Sequence, residues 1–296
     1  MGERAAPVLA LMVNACVWGL SWWPFRALQA HGVHALWSTA VIYLAAFAVF
    51  ILVRPAALPE LLRTPGLWLL AGAAGLTNVG FNWAVTIGDV VRIVLLFYLM
   101  PAWSVLLAWA LLGERPSAAG LGRLLLALAG VAAVLDTGGV GLPWPRALAE
   151  WLALGAGFCF ALTNVLLRKL SQVTAGSRVL AMFGGGMLMA GGVALAGGLQ
   201  GAIAPLPRLD GAGWAIALLL AGGFLLANLC LQYGASRLPA HTTALVMLSE
   251  VVFASLSSVA LGAAELTART LAGGALILAA AAWSAWPRQE RPYSAQ

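Results

Sequence analysis

Charge is scarce in this chain. Of 296 residues, sixteen are Lys or Arg and ten are Asp or Glu, 9% in all, where a soluble domain carries ~25%. With 62% of its residues hydrophobic, the chain cannot hide its apolar surface in a soluble core. Cysteine is scarce too: Cys16, Cys159 and Cys230 all fall inside apolar runs, so they read as small packing residues rather than a disulfide or metal framework. His31 and His34 stand together in one loop without a carboxylate or thiol beside them, and no metal site is expected. The chain lacks G-x-S-x-G, H-E-x-x-H, histidine boxes and a second carboxylate inside an apolar run, so the usual equipment of a membrane-embedded enzyme is missing. No P-loop is present; ATP is not a direct energy source, and no cofactor is expected.

What fills the chain is apolar runs. Ten stretches of about the 20 residues needed to cross a bilayer follow one another, from Pro7 to Leu28 at one end and Thr267 to Trp286 at the other. They are continuously apolar rather than alternating, which predicts helices and not barrel strands. The net charge of +6 does not point to nucleic acid, because the basic residues are spread over the loops and tails. Eleven fall on the side of the two tails, and five, Arg26, Arg92, Arg146, Arg208 and Arg269, fall one to each opposite loop. That excess places both termini in the cytoplasm.

The chain also repeats itself. Leu96 to Gly113 lies over Leu245 to Gly262 at an offset of 149 residues. Gly72, Asn78 and Trp83 lie over Gly222, Asn228 and Tyr233 at 150, and Trp18 with Arg26 over Phe160 with Arg168 at 142. Five spans per half is an odd number, so the second copy enters the membrane from the opposite face. Inverted repeats of this kind belong to secondary transporters, whose sites lie near the midplane between the halves. The expected fold is all-α: ten transmembrane helices as two inverted five-helix repeats around a central cavity, residues 1–140 and 141–296.

Polar and aromatic groups at membrane depth are the candidates for a site. Asn78 with Asn82, and Asn228 with Gln232, are two i,i+4 pairs on equivalent helix faces; each serves either as interhelical glue or as cavity lining. Glu250 is the one carboxylate near the middle of a span, with Pro101 at its repeat position. It holds a proton, meets a substrate ammonium, or bonds backbone carbonyls. Pro101 lacks a helix donor and is expected to kink its segment. Most of the thirteen tryptophans, among them Trp23, Trp37, Trp68, Trp144 and Trp286, sit where interfacial belts form. Trp18 and Trp103 lie near midspan, with Phe160, Phe97 and Tyr98 at comparable depth. Rings there either face lipid or wall a cavity that stacks on an aromatic ligand. Asp89 and Arg92, at one turn, read as a local ion pair.

The Trp18-Gly19 pair, the Leu111-Leu112-Gly113-Glu114-Arg115-Pro116 exit of the fourth segment, the glycines Gly120, Gly122 and Gly130 that follow, and Leu261-Gly262-Ala263-Ala264-Glu265 as the altered twin of that exit resemble the ten-helix drug/metabolite transporter superfamily with its two EamA-type repeats. The resemblance covers about residues 7 to 286, and within the superfamily the chain is similar to bacterial aromatic amino acid exporters. It implies a carrier in the bacterial inner membrane whose partners are lipid and a small-molecule substrate, an aromatic amino acid first. Oligomeric state is left open. Independently of the resemblance, a midplane with one carboxylate, no Lys or Arg, several amides and several rings disfavours a phosphorylated solute. The substrate-contacting set expected is Trp18, Asn78, Asn82, Tyr98, Trp103, Phe160, Asn228 and Glu250.

Overall fold

A computed structural model describes residues 2–113, 118–135, 145–170, 172–235, 237, 246, 247 and 249–285, and all regular structure among them is helical. The helices are α1 Gly2–Leu20, α2 Trp22–Ala30, α3 Ala35–Val53, α4 Ala57–Arg63, α5 Pro65–Ile87, α6 Val90–Phe97, α7 Met100–Leu112, α8 Ala118–Leu135, α9 Leu148–Lys169, α10 Ala175–Leu199, α11 Gly211–Ala235, α12 Ser249–Ala260 and α13 Ala268–Ala285. Six runs are long and apolar enough to cross a membrane: Ala5–Ala30, Ala35–Val53, Val90–Leu111, Leu148–Leu167, Ala175–Leu199 and Gly211–Leu231. α8, α12 and α13 add shorter apolar helices. The protein is a multi-pass membrane protein. Its outer surface agrees, since side chains such as Leu52 and Leu199 stand 81% and 92% exposed, a cost in water and none in lipid.

Helix starts carry their own caps, which satisfy backbone donors that lipid cannot. Asp89 accepts from Arg92 N at 2.8 Å ahead of α6, Asp210 from Gly213 N at 2.7 Å at α11, and Thr267 from Thr270 N at 3.1 Å at α13. Thr174 and His34 do the same for α10 and α3. α7 and α12 end on Gly113 and Gly262, at φ of 72° and 66°. These are the residues matched at offset 149, and both take the left-handed conformation that closes a helix on glycine.

The packing has a matching regularity. α1 lies against α11 and α12, and α9 lies in the same manner against α5 and the α6–α7 pair. α3 packs on α10, and α8 on α13. Exchanging α1 with α9, α5 with α11, α6–α7 with α12, α3 with α10 and α8 with α13 thus maps the contacts of α1 onto those of α9 and returns the α3–α10 and α8–α13 contacts to themselves. Small residues allow the closest crossings. A Cβ on Gly130 would come within 2.7 Å of the Gly273 carbonyl, and one on Gly273 within 2.6 Å of the Gly130 carbonyl. Gly75 of α5 meets Gly185 of α10, while Gly184 and Gly186 lie against Phe47 and Tyr43.

Candidate functional site

Two membrane-spanning runs are interrupted at midspan, and the interruptions hold the central side chains. The first run breaks at Ser21, whose hydroxyl donates to the Trp18 carbonyl at 2.7 Å, a local bond that competes with the helix. Trp18 is therefore in the last turn before the break. The second breaks at Tyr98 and Leu99. Two residues on, Pro101 offers no N–H to the Phe97 carbonyl. That carbonyl instead faces α9 at Gly157, where a Cβ would lie 2.6 Å from it.

Around these breaks six rings form a continuous run. Trp18 stacks on Phe224 with centroids 4.5 Å apart and planes at 24°, and meets Phe81 edge-on at 6.4 Å. Phe81 meets Phe97 at 4.8 Å, and Phe97 meets Phe160 at 5.4 Å. At the other end Phe224 meets Tyr43 at 5.9 Å. The rings come from α1, α3, α5, α6, α9 and α11. Of the sequence candidates, Trp18 and Phe160 are thus in one run, and Tyr98 meets it edge-on at Phe97, 6.1 Å away. Trp103 lies beside it, edge-on to Phe158 at 5.6 Å, with its indole N–H buried and without an acceptor.

Polar groups flank the run in two places. The Tyr43 hydroxyl donates to Asn78 Oδ1, and Asn78 Nδ2 donates to the Ala74 carbonyl at 2.8 Å. One turn on, Asn82 is fully buried; its Nδ2 donates to Thr39 Oγ1 at 3.1 Å and its Oδ1 has no partner. Beside Phe97, Tyr98 is 2% exposed, with its hydroxyl 3.1 Å from Glu250 Oε2 and 3.1 Å from the Met247 carbonyl. Asn14 of α1 donates to Met247 Sδ at 3.2 Å. Asn228 is half-buried on α11. The side chains of Pro101 and Gln232, and residues 114, 144 and 286, lie outside the described residues. Sequence reasoning missed Tyr43, Phe81, Phe224 and Asn14. The rule that singles out midspan polar groups reaches Asn14 and Tyr43, but nothing in the sequence separates Phe81 and Phe224 from lipid-facing phenylalanines.

Apart from Glu250, the charged side chains with partners among the described residues stand at the bundle's two ends. At one, Arg26 donates to the Val85 carbonyl at 3.1 Å and to that of Gly88, tying α2 to the end of α5. Arg92 forms its ion pair with Glu150 at 2.7 Å; the expected partner Asp89 instead accepts from the Arg92 backbone N–H as the cap of α6, and from Glu265 N at 3.3 Å. Asp89, Arg92, Glu265, Thr267, Arg269 and Thr270 line an open cavity of 540 Å³ there. His34, at the start of α3, is edge-on to Trp83 at 5.1 Å, and burial pushes its imidazole below the ordinary value. At the opposite end, the Ser177 and Thr174 hydroxyls hold the Glu60 carboxyl below the usual carboxylate range and fasten α4 to the start of α10.

The comparisons with known proteins agree with this arrangement. The profile of the EamA-like transporter family matches residues 5–135 and, a second time, residues 147–286. No curated protein matches the chain at a significant level. One protein known from its crystal structure is similar at a TM-score of 0.60 and 22% identity, over 95% of this chain and 96% of that one. A likeness at that identity is one of fold.

Proposed function

Because the chain belongs to the EamA-like transporter family, whose members are membrane carriers of small molecules and not enzymes, we propose that it exports small, net-neutral amphipathic solutes, aromatic amino acids first. On this reading ten spans form two inverted repeats, 1–140 and 141–296, in the bacterial inner membrane with both termini cytoplasmic, and the solute crosses by alternating access between them. The observation that carries the proposal is the six-ring run from Tyr43 to Phe160, flanked by an amide at Asn78 and by the Tyr98–Glu250 pair beside Phe97, with Arg26 and Arg92 at one end of the bundle. Flat rings suit a flat apolar side chain. The amides of Asn78, Asn82 and Asn228 suit the solute's polar end, and Trp18, Trp103 and Phe160 its ring. Pro101 serves as the hinge of the fourth span.

Counterflow of labelled tryptophan or phenylalanine through reconstituted protein tests the proposal. Wild type should exchange label, and Trp18→Ala, by removing the stacked ring, should slow the exchange about tenfold, equivalent to ~1.4 kcal/mol. Unchanged exchange in Trp18→Ala and Trp103→Ala together, selective movement of a nucleotide sugar, or flux without counterflow would reject it.

A further inference from the structure

Tyr98 has one hydroxyl hydrogen and two oxygens within reach of it. The Met247 carbonyl and Glu250 Oε2 each stand 3.1 Å from its oxygen. A carbonyl can only accept, and a phenol donates one hydrogen. When that hydrogen goes to Met247, the second contact needs a hydrogen of its own, and only a protonated Glu250 supplies it. When Glu250 is ionised, it claims the phenol hydrogen and the Met247 carbonyl is left without it.

Among the described residues, nothing else near Glu250 settles its charge. The residue is 7% exposed, and among the described residues no Lys, Arg or His lies within ion-pair distance of it. From α1 it meets Gly19, where a Cβ would lie 2.8 Å from the Glu250 carbonyl; Asn14 of the same helix reaches Met247, its amide on Met247 Sδ. From the α6–α7 break it meets Tyr98; on its own helix, Ser249 turns back to the Val246 carbonyl at 2.7 Å. A buried carboxylate without a cation is expensive, and a bound proton removes most of that expense. Position adds to the argument. Tyr98 and Met247 are counterparts at offset 149, as are Pro101 and Glu250. Counterparts that touch lie on the axis relating the halves, the place reached from either face in turn.

We propose that Glu250 is the proton-binding group of this carrier and Tyr98 the positioning residue that reports its state to both halves. This rests on the transporter reading above and decides among the roles open to Glu250. In the protonated state Glu250 donates to the Tyr98 oxygen and Tyr98 donates to the Met247 carbonyl. On release, the Glu250 O–H bond breaks, the proton passes to water on the open side, and the Tyr98 O–H turns to Oε2, freeing Met247. Proton entry thereby opposes solute export, one proton for one solute.

The test uses purified protein in liposomes with labelled L-tryptophan as probe. For a one-to-one exchange, a gradient of one pH unit should drive about tenfold accumulation in wild type. In Glu250→Gln accumulation should fall to about onefold, and the counterflow that remains, whatever its rate, should lose its pH dependence. Tyr98→Phe should keep a pH-dependent profile with a displaced midpoint. An infrared pH titration reads the proton without any solute: a carboxylic-acid carbonyl band present in wild type should be missing in Glu250→Gln and kept in Glu60→Gln. Wild-type accumulation in Glu250→Gln, or the same band in it, overturns the proposal. If wild type exchanges no tryptophan, the solute assignment fails and the infrared titration alone decides the proton. It decides likewise if Glu250→Gln folds but exchanges nothing.

Discussion

Gly157 shows how much one hydrogen atom in place of a methyl decides at the residue scale. It leaves room for the Phe97 carbonyl that Pro101 deprives of its donor, and an added Cβ would come within 2.6 Å of that oxygen. Gly157→Ala should therefore lower stability in detergent by ~1–3 kcal/mol through overpacking. Gly155→Ala, two residues away with nothing within 4 Å of its Cβ, should be tolerated; equal thermal shifts in the two variants would contradict this account. Tyr43→Phe removes the hydroxyl that donates to Asn78 and should cost ~0.6 kcal/mol, the average for an interhelical bond in membrane, as thermal unfolding can check. Asn78, Asn82 and Glu250 were legible in the sequence because a polar atom at membrane depth needs a reason. Their partners were not. Whether Phe224 stacks on Trp18 or faces lipid depends on which helix lies beside it, and the residue type is the same in both cases.

At the scale of elements, start and stop signals were written locally. Gly113 and Gly262 end α7 and α12, and Asp89 begins α6. The break at Ser21 was not apparent, since Pro7 through Leu28 reads as one apolar run and the competing bond is from Ser21 to the Trp18 carbonyl. α4 gives an element with a titration. Its Glu60 carboxyl is lowered in the folded protein by the Ser177 and Thr174 hydroxyls. A group lowered on folding adds stability above its ordinary value of 4.5 and loses that contribution as pH falls through the still lower folded value. Glu60→Gln should be less stable than wild type at neutral pH. The gap should close on acidification below 4.5; a gap constant with pH would show that the hydroxyls do not act on the charge.

On the scale of the whole molecule, the charge count makes a statement about topology. Arg208 sits in an external loop and Arg54 in a cytoplasmic one if the basic excess marks the inside. In intact cells a membrane-impermeant maleimide should label Arg208→Cys and spare Arg54→Cys, and the reverse pattern would invert the orientation proposed. Sequence alone determined that this is a helical membrane protein with a doubled pattern, because apolar run length and charge placement are set against the bilayer's thickness and not against other residues. It also marked the depth at which polar side chains need partners. Only the tertiary structure decided which rings meet, that Arg92 reaches Glu150, and that Tyr98 and Glu250, 152 residues apart, share a hydrogen bond. Those contacts join separate spans, and in a medium as apolar as the side chains themselves, helix neighbours are chosen by shape and by small residues such as Gly130, Gly157 and Gly273. No single run of sequence contains that choice.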